Sequence, residues 1–201
     1  MSATDINRSP RLDGDHARPE DEARRPRPPG LPVDARRAPD RATGLVLAGD
    51  SAGGTLAIVT ATALRDDPAP VPVLAQLTVY PAPDGSKPYP SVDEFADGYL
   101  LTKAGHEWYH HHYAPDVTDV RASPLLGDLT GLPPAVVLTA GLDPVRDQGR
   151  AYAAGLVAAG VPTTFLEAEG NVHAFVLMRK AVPSSQADVE AALTALRSLL
   201  P

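Results

Sequence analysis

The stretch Gly44-Leu45-Val46-Leu47-Ala48-Gly49-Asp50-Ser51-Ala52-Gly53-Gly54 runs from an apolar segment through a glycine-bounded turn into Thr55-Leu56-Ala57-Ile58. A short apolar run that stops at a glycine turn is the signature of a buried parallel strand, so Gly44 to Ala48 is read as one. Ala52 to Leu64, rich in Ala, Leu and Ile and closed by Arg65, is read as a helix despite its Thr and Val residues. Between them, Gly49-Asp50-Ser51-Ala52-Gly53 has the form G-x-S-x-G, which is informative because it joins a strand to a helix. Such a turn must be tight enough to strain its central residue, and glycines two residues to either side leave room for that. It lifts the Ser51 hydroxyl above the C-terminal edge of a sheet and turns the Ala52 N–H toward the place where a negative oxygen would develop. Ser51 is therefore the candidate nucleophile and Ala52 the candidate oxyanion donor, with Gly49, Asp50 and Gly53 shaping the elbow between them. A phosphate-binding turn is the competing reading. A dinucleotide fingerprint, however, needs glycine where Ser51 stands and an acidic residue about twenty residues on at the end of a second strand. The sequence has neither.

Working outward, strand and helix signals alternate. A second strand is expected over Val73 to Tyr80, stopped by Pro81, and a loop with Pro88 and Pro90 follows. Thr102 is placed to N-cap a helix running through Trp108 to Tyr113. A third strand is expected over Ala135 to Ala140 and a helix over Pro144 to Ala159, ended by Gly160. The fourth strand is Thr163 to Ala168. A last helix spans Ser185 to Leu200, with Val189, Leu193, Leu196 and Leu200 at three- and four-residue spacing. This alternation predicts an α/β domain, a mostly parallel sheet flanked by helices.

A serine nucleophile needs a base oriented by a carboxylate, and two residues stand where such a sheet would deliver them. Asp143 follows the third strand in Thr139-Ala140-Gly141-Leu142-Asp143-Pro144, and His173 follows the fourth in Glu169-Gly170-Asn171-Val172-His173-Ala174-Phe175. Taken singly, Asp143 could merely cap the helix beginning at Pro144, and a lone histidine is more often structural. In the order Ser, Asp, His, each at a strand end, the three converge on one rim. The His110-His111-His112 run suggests a metal, but consecutive helical residues point about 100° apart and cannot share an ion. His106 and His110 form at most half a site, so no metal is expected.

The whole chain bounds these readings. Its 201 residues suffice for one domain with a sizeable core. The formal net charge of −7 disfavours nucleic-acid and anionic-membrane partners, and the absence of cysteine removes disulfides, zinc–thiolate sites and thiol nucleophiles. Residues 1–41 carry nine Arg, eight acidic side chains and seven prolines with almost no aliphatic residues. Such a segment cannot offset its ordering entropy with a core and is expected to be disordered, leaving 42–201 as the folded domain. No signal-peptide core and no run of about eighteen apolar residues occurs, so a cytoplasmic protein is expected.

From about Pro39 to Phe175 the sequence resembles the hormone-sensitive-lipase-like family of α/β-hydrolase esterases. The resemblance rests on six ordered motifs: G-D-S-A-G-G at Gly49 to Gly54, Tyr80-Pro81, and A-D-G-Y-L-L-T at Ala96 to Thr102. The others are S-P-L-L before L-P-P-A (Ser123 to Leu126, Leu132 to Ala135), D-P-x-R-D-x-G at Asp143 to Gly149, and H-x-F at His173 to Phe175. It implies Ser51 as nucleophile, His173 as general base and acid, and Asp143 as orienting carboxylate. It also implies hydrolysis of small-molecule carboxylic esters through an acyl-enzyme, with no metal or organic cofactor. Members carry an H-G-G-G segment, well before the elbow, that forms most of the oxyanion hole, and this sequence contains none. Each lost oxyanion donor costs roughly 10²–10³ in rate. The expectation is therefore the C-terminal part of an α/β-hydrolase fold, lacking the usual N-terminal half and impaired in activity. Its first strand would be an unpaired edge open to self-association. The alternative is a non-catalytic hydrolase fragment or interaction module that associates through that edge.

Overall fold

The computed structural model of the protein describes residues 43–201. The disorder expected over 1–41 lies outside the described residues. Four strands, β1 (Leu45–Asp50), β2 (Val73–Val79), β3 (Ala135–Leu142) and β4 (Thr163–Val172), form one parallel sheet in sequential order. The helices are α1 (Ala52–Asp66), α2 (Pro90–Glu94), α3 (Lys103–Tyr113), α4 (Arg146–Ala158) and α5 (Ser184–Ser198).

Alternation along the strands builds two cores. On one face, Ala135 and Val137 of β3 meet Ile58 and Ala61 of α1 and Tyr152, Ala153 and Leu156 of α4. On the other, Val136, Leu138 and Ala140 meet Leu77 and Val79 of β2, Phe175, and Val189 and Ala192 of α5. The sheet is thus sandwiched between helices, the arrangement that buries a parallel sheet on both sides. β3 is buried along its length except at Leu142.

Several boundaries differ from the sequence reading for identifiable reasons. β1 continues through Gly49 and Asp50 because both pair with β2, opposite Thr78 and Val79. β2 stops one residue early because Tyr80 turns to φ 36°. β4 runs on to Val172, which pairs with Leu142 past a register shift. At that shift Gly141 lies so close to the Glu169 backbone that a Cβ would collide with it. α4 begins at Arg146 rather than Pro144 because the Asp143 carboxylate accepts the Val145 N–H at 2.9 Å and holds Pro144-Val145 in a turn. Thr102 caps α3 as expected, accepting the Gly105 N–H at 3.0 Å. The short helix α2, with Pro90 at its start, replaces what reads as loop. No helix among the described residues is long and apolar enough to cross a membrane.

Candidate active site

Ser51 follows β1, Asp143 follows β3 and His173 follows β4, so three strand ends bring the three residues to one rim of the sheet. Ser51 has φ 52° and ψ −124°, and its N–H donates to Val79 O at 2.9 Å, which ties the turn to β2. The room for that turn comes from Gly49 and Gly54 rather than from Gly53. A Cβ on Gly49 would collide with the Gly53 carbonyl, and one on Gly54 would lie 3.2 Å from Gly49 O and Pro81 Cβ. A Cβ on Gly53 would meet nothing within 4 Å, contrary to the symmetric role the motif suggests.

His173 Nε2 lies 2.8 Å from Ser51 Oγ, and His173 Nδ1 lies 2.6 Å from Asp143 Oδ2. Because an ionised carboxylate only accepts, the Nδ1 position carries the proton and Nε2 is left to accept from the serine hydroxyl. Asp143 is wholly buried and His173 nearly so, which strengthens both contacts relative to water. Ala52, the first residue of α1, has an N–H without an intrahelical acceptor, exposed beside Ser51.

Each of the three is held from behind. Ser91 Oγ donates to Pro144 O at 2.8 Å and Ser91 N donates to Asp147 Oδ2 at 3.0 Å, which clamps the turn after Asp143 against α2. Arg146 donates to Gly141 O on the other side of that turn and to Glu94. The strand leading to His173 is tied to α5 by Asn171, which donates to Asp188 and accepts from Ser185. Asp50 accepts the Tyr80 hydroxyl at 3.2 Å. Reading by motif missed Ser91, Asn171 and Tyr80 as site-supporting residues. The proline opening α2 was the one local signal for Ser91.

Trp108, Tyr109 and Tyr113 of α3 point outward and are more than half exposed. Instead the helix turns His106 and His110 inward, their rings 4.8 Å apart. Burial, and then His110, hold the His106 imidazole below its usual value, with Asp143 and His173 within electrostatic reach. Among the described residues no group of three metal-ligating side chains forms around them. Phe175 is completely buried, its ring centroid 5.4 Å from that of Tyr80.

With this geometry in hand, comparison places the chain among known proteins. Residues 35–177 match the family model described as alpha/beta hydrolase fold. The chain is similar to a carboxylic ester hydrolase, LipN, of Mycobacterium tuberculosis, at 37% identity over 78% of this chain and 44% of that protein. It is also similar to an ethyl acetate hydrolase of Pseudomonas putida, at 35% identity over 85% and 52%. A solved thermostable esterase from Pseudomonas putida superposes with TM-score 0.73 and 37% identity, covering 78% of this chain and 51% of that one. An α/β-hydrolase enzyme from the metagenome of Lake Arreo, Spain, is 46% identical with TM-score 0.66, covering 74% and 48%. The chain spans about half the length of the curated relatives it matches.

Proposed function

The chain belongs to the hormone-sensitive-lipase-like esterases of the α/β-hydrolase fold, and on that premise we propose that it hydrolyses small-molecule carboxylic esters through an acyl-enzyme on Ser51. Ser51 Oγ attacks the ester carbonyl carbon while His173 Nε2 takes the hydroxyl proton. The bond to the leaving alcohol oxygen then breaks, and His173 returns the proton to that oxygen. Water attacks the acyl-enzyme with the same base, releasing the acid and restoring Ser51. Asp143 keeps the imidazole in the tautomer that accepts at Nε2 and offsets the positive charge it acquires. The Ala52 N–H donates to the carbonyl oxygen as it becomes negative.

The observation that carries this reading is the pair of contacts at 2.8 Å and 2.6 Å linking Ser51, His173 and Asp143. A small substrate is favoured by the relatives, one of which is named for ethyl acetate. The test is labelling of purified protein by a fluorophosphonate, together with p-nitrophenyl acetate turnover. Both are expected for the wild type and absent for Ser51→Ala. Folded wild-type protein that takes no label would overturn the assignment, and a preference for emulsified long-chain triglyceride would overturn the substrate class. The reading includes self-association through β1, supported by that strand having no fully buried residue.

A further inference from the structure

We propose that Tyr80 is a positioning residue for the base: its ring is the surface on which the His173 imidazole rests, and its hydroxyl ties that surface to Asp50, beside the nucleophile. This rests on the serine-hydrolase reading and adds to it a role for the fourth strand end. Ser51, Asp143 and His173 each directly follow a strand, and the residue that directly follows β2 is Tyr80. Its ring centroid lies 4.6 Å from that of His173 at a tilt of 51°, and 5.4 Å from that of Phe175. Asp143 and Ser51 hold the two ring nitrogens of His173 and leave its faces unconstrained, so a ring packed on one face is what limits its tilt.

Two further observations single out Tyr80. Its backbone takes φ 36°, which an aromatic residue adopts only where its surroundings over-determine it. Such positive φ recurs around the site at Ser51 and at Ala174, next to His173. The Tyr80 side chain is almost wholly buried, so its hydroxyl needs a partner, and Asp50 Oδ2 supplies one at 3.2 Å. Burial, then the charge and hydrogen bond of Asp50, push the phenol well above its ordinary value, so it remains a donor. Nucleophile elbow and base are thereby joined through one side chain.

The titratable groups around His173 are Asp143, Tyr80 and, from α3, His106, with Asp50 beyond the Tyr80 hydroxyl. The test measures the fluorophosphonate labelling rate against pH for the wild type, Tyr80→Phe, Asp50→Ala and the double variant. Each single change is expected to slow labelling about tenfold, and the double variant little more than either, because both remove the same bond. In Tyr80→Phe the Asp50 carboxylate loses its donor and favours protonated imidazole, so the acid limb of the profile moves to higher pH. In Asp50→Ala that charge is gone and the limb moves to lower pH. A loss of packing alone would not move the limb in opposite directions. The proposal is overturned if the wild type labels but Tyr80→Phe stays within about twofold of it with an unmoved acid limb, or if the two losses multiply. Tyr80→Phe keeps ring and volume, so its profile decides the matter even if Asp50→Ala does not fold. An unlabelled wild type is a different result, overturning the proposed function itself and this role with it.

Discussion

Asp143 and Asp147 stand four positions apart, and only Asp143 reaches the imidazole. Asp147 instead accepts from Ser91, Arg146 and Arg150, gripping the turn that carries Asp143. Asp143→Asn is therefore expected to slow Ser51 labelling on the order of 10⁴-fold by putting His173 in the wrong tautomer. Asp147→Asn should act only through placement of the turn and cost about tenfold or less. Equal losses would move the orienting role away from Asp143. The convergence of Ser51, Asp143 and His173 on one rim was legible in the sequence because each comes after a strand signal, although the residues just before His173, Glu167 to Val172, are mostly polar. Tyr80 was legible as the last residue of a strand and as half of the Tyr80-Pro81 motif, with no role attached to its side chain. Its role depends on the ring of His173, 93 positions along the chain, and no local pattern encodes that contact. Ser91 was hidden for the same reason, since its partners Pro144 and Asp147 belong to another element.

β2 is the element whose interior carries the most polarity for its burial. Gln76 and Thr78 are fully buried and, by alternation, face the helices α1 and α4. Gln76 is satisfied: it accepts the Tyr152 hydroxyl at 2.8 Å and donates to Pro133 O at 3.1 Å. Thr78 is not, and its Oγ1 is the only buried side-chain polar atom among the described residues without a hydrogen-bond partner. Replacing Thr78 by Val keeps the shape and removes the unpaired hydroxyl, so stability should rise by about 1 kcal/mol. Tyr152→Phe does the reverse by leaving Gln76 Oε1 unpaired, and should cost about 1–3 kcal/mol. Urea midpoints at unchanged slope measure both. A Thr78→Val midpoint at or below the wild type would mean that the hydroxyl finds a partner. The order and type of the long elements were legible from apolar runs and breakers, but the faces of β3 were not. Ala135-Val136-Val137-Leu138 is apolar at every position, so nothing in it distinguishes the α1/α4 side from the α5 side. α2 escaped because a five-residue helix packed on α4 has too little periodicity of its own to be read.

For the molecule as a whole, the sequential sheet order puts β1 at one edge, and among the described residues no strand pairs with its outer side. The edge is apolar, and Val46 is 38% exposed. Among the described residues the Leu45 to Ala48 edge carries no charge, proline or cover, so it presents unpaired N–H and C=O groups with apolar side chains beside them, a template for pairing with another chain. Glycine and Asp50 at its end disrupt this little, since Leu45 through Ala48 are uniformly uncharged. The full chain is therefore expected to sediment with a mass that grows with concentration. Val46→Lys places a charge on that edge without disturbing β2, whose side of the ladder is already satisfied, and should return the protein to a concentration-independent monomer. Its thermal midpoint, read at a dilution where both proteins are monomeric, should change little, because Val46 contributes no fully buried surface. The pairing also lies on the strand that carries Ser51, so fluorophosphonate labelling of the two proteins reports whether association helps or hinders the elbow. Wild-type protein that remains a single monomer across the accessible concentration range, with Val46→Lys indistinguishable from it, would show that β1 is not an association surface.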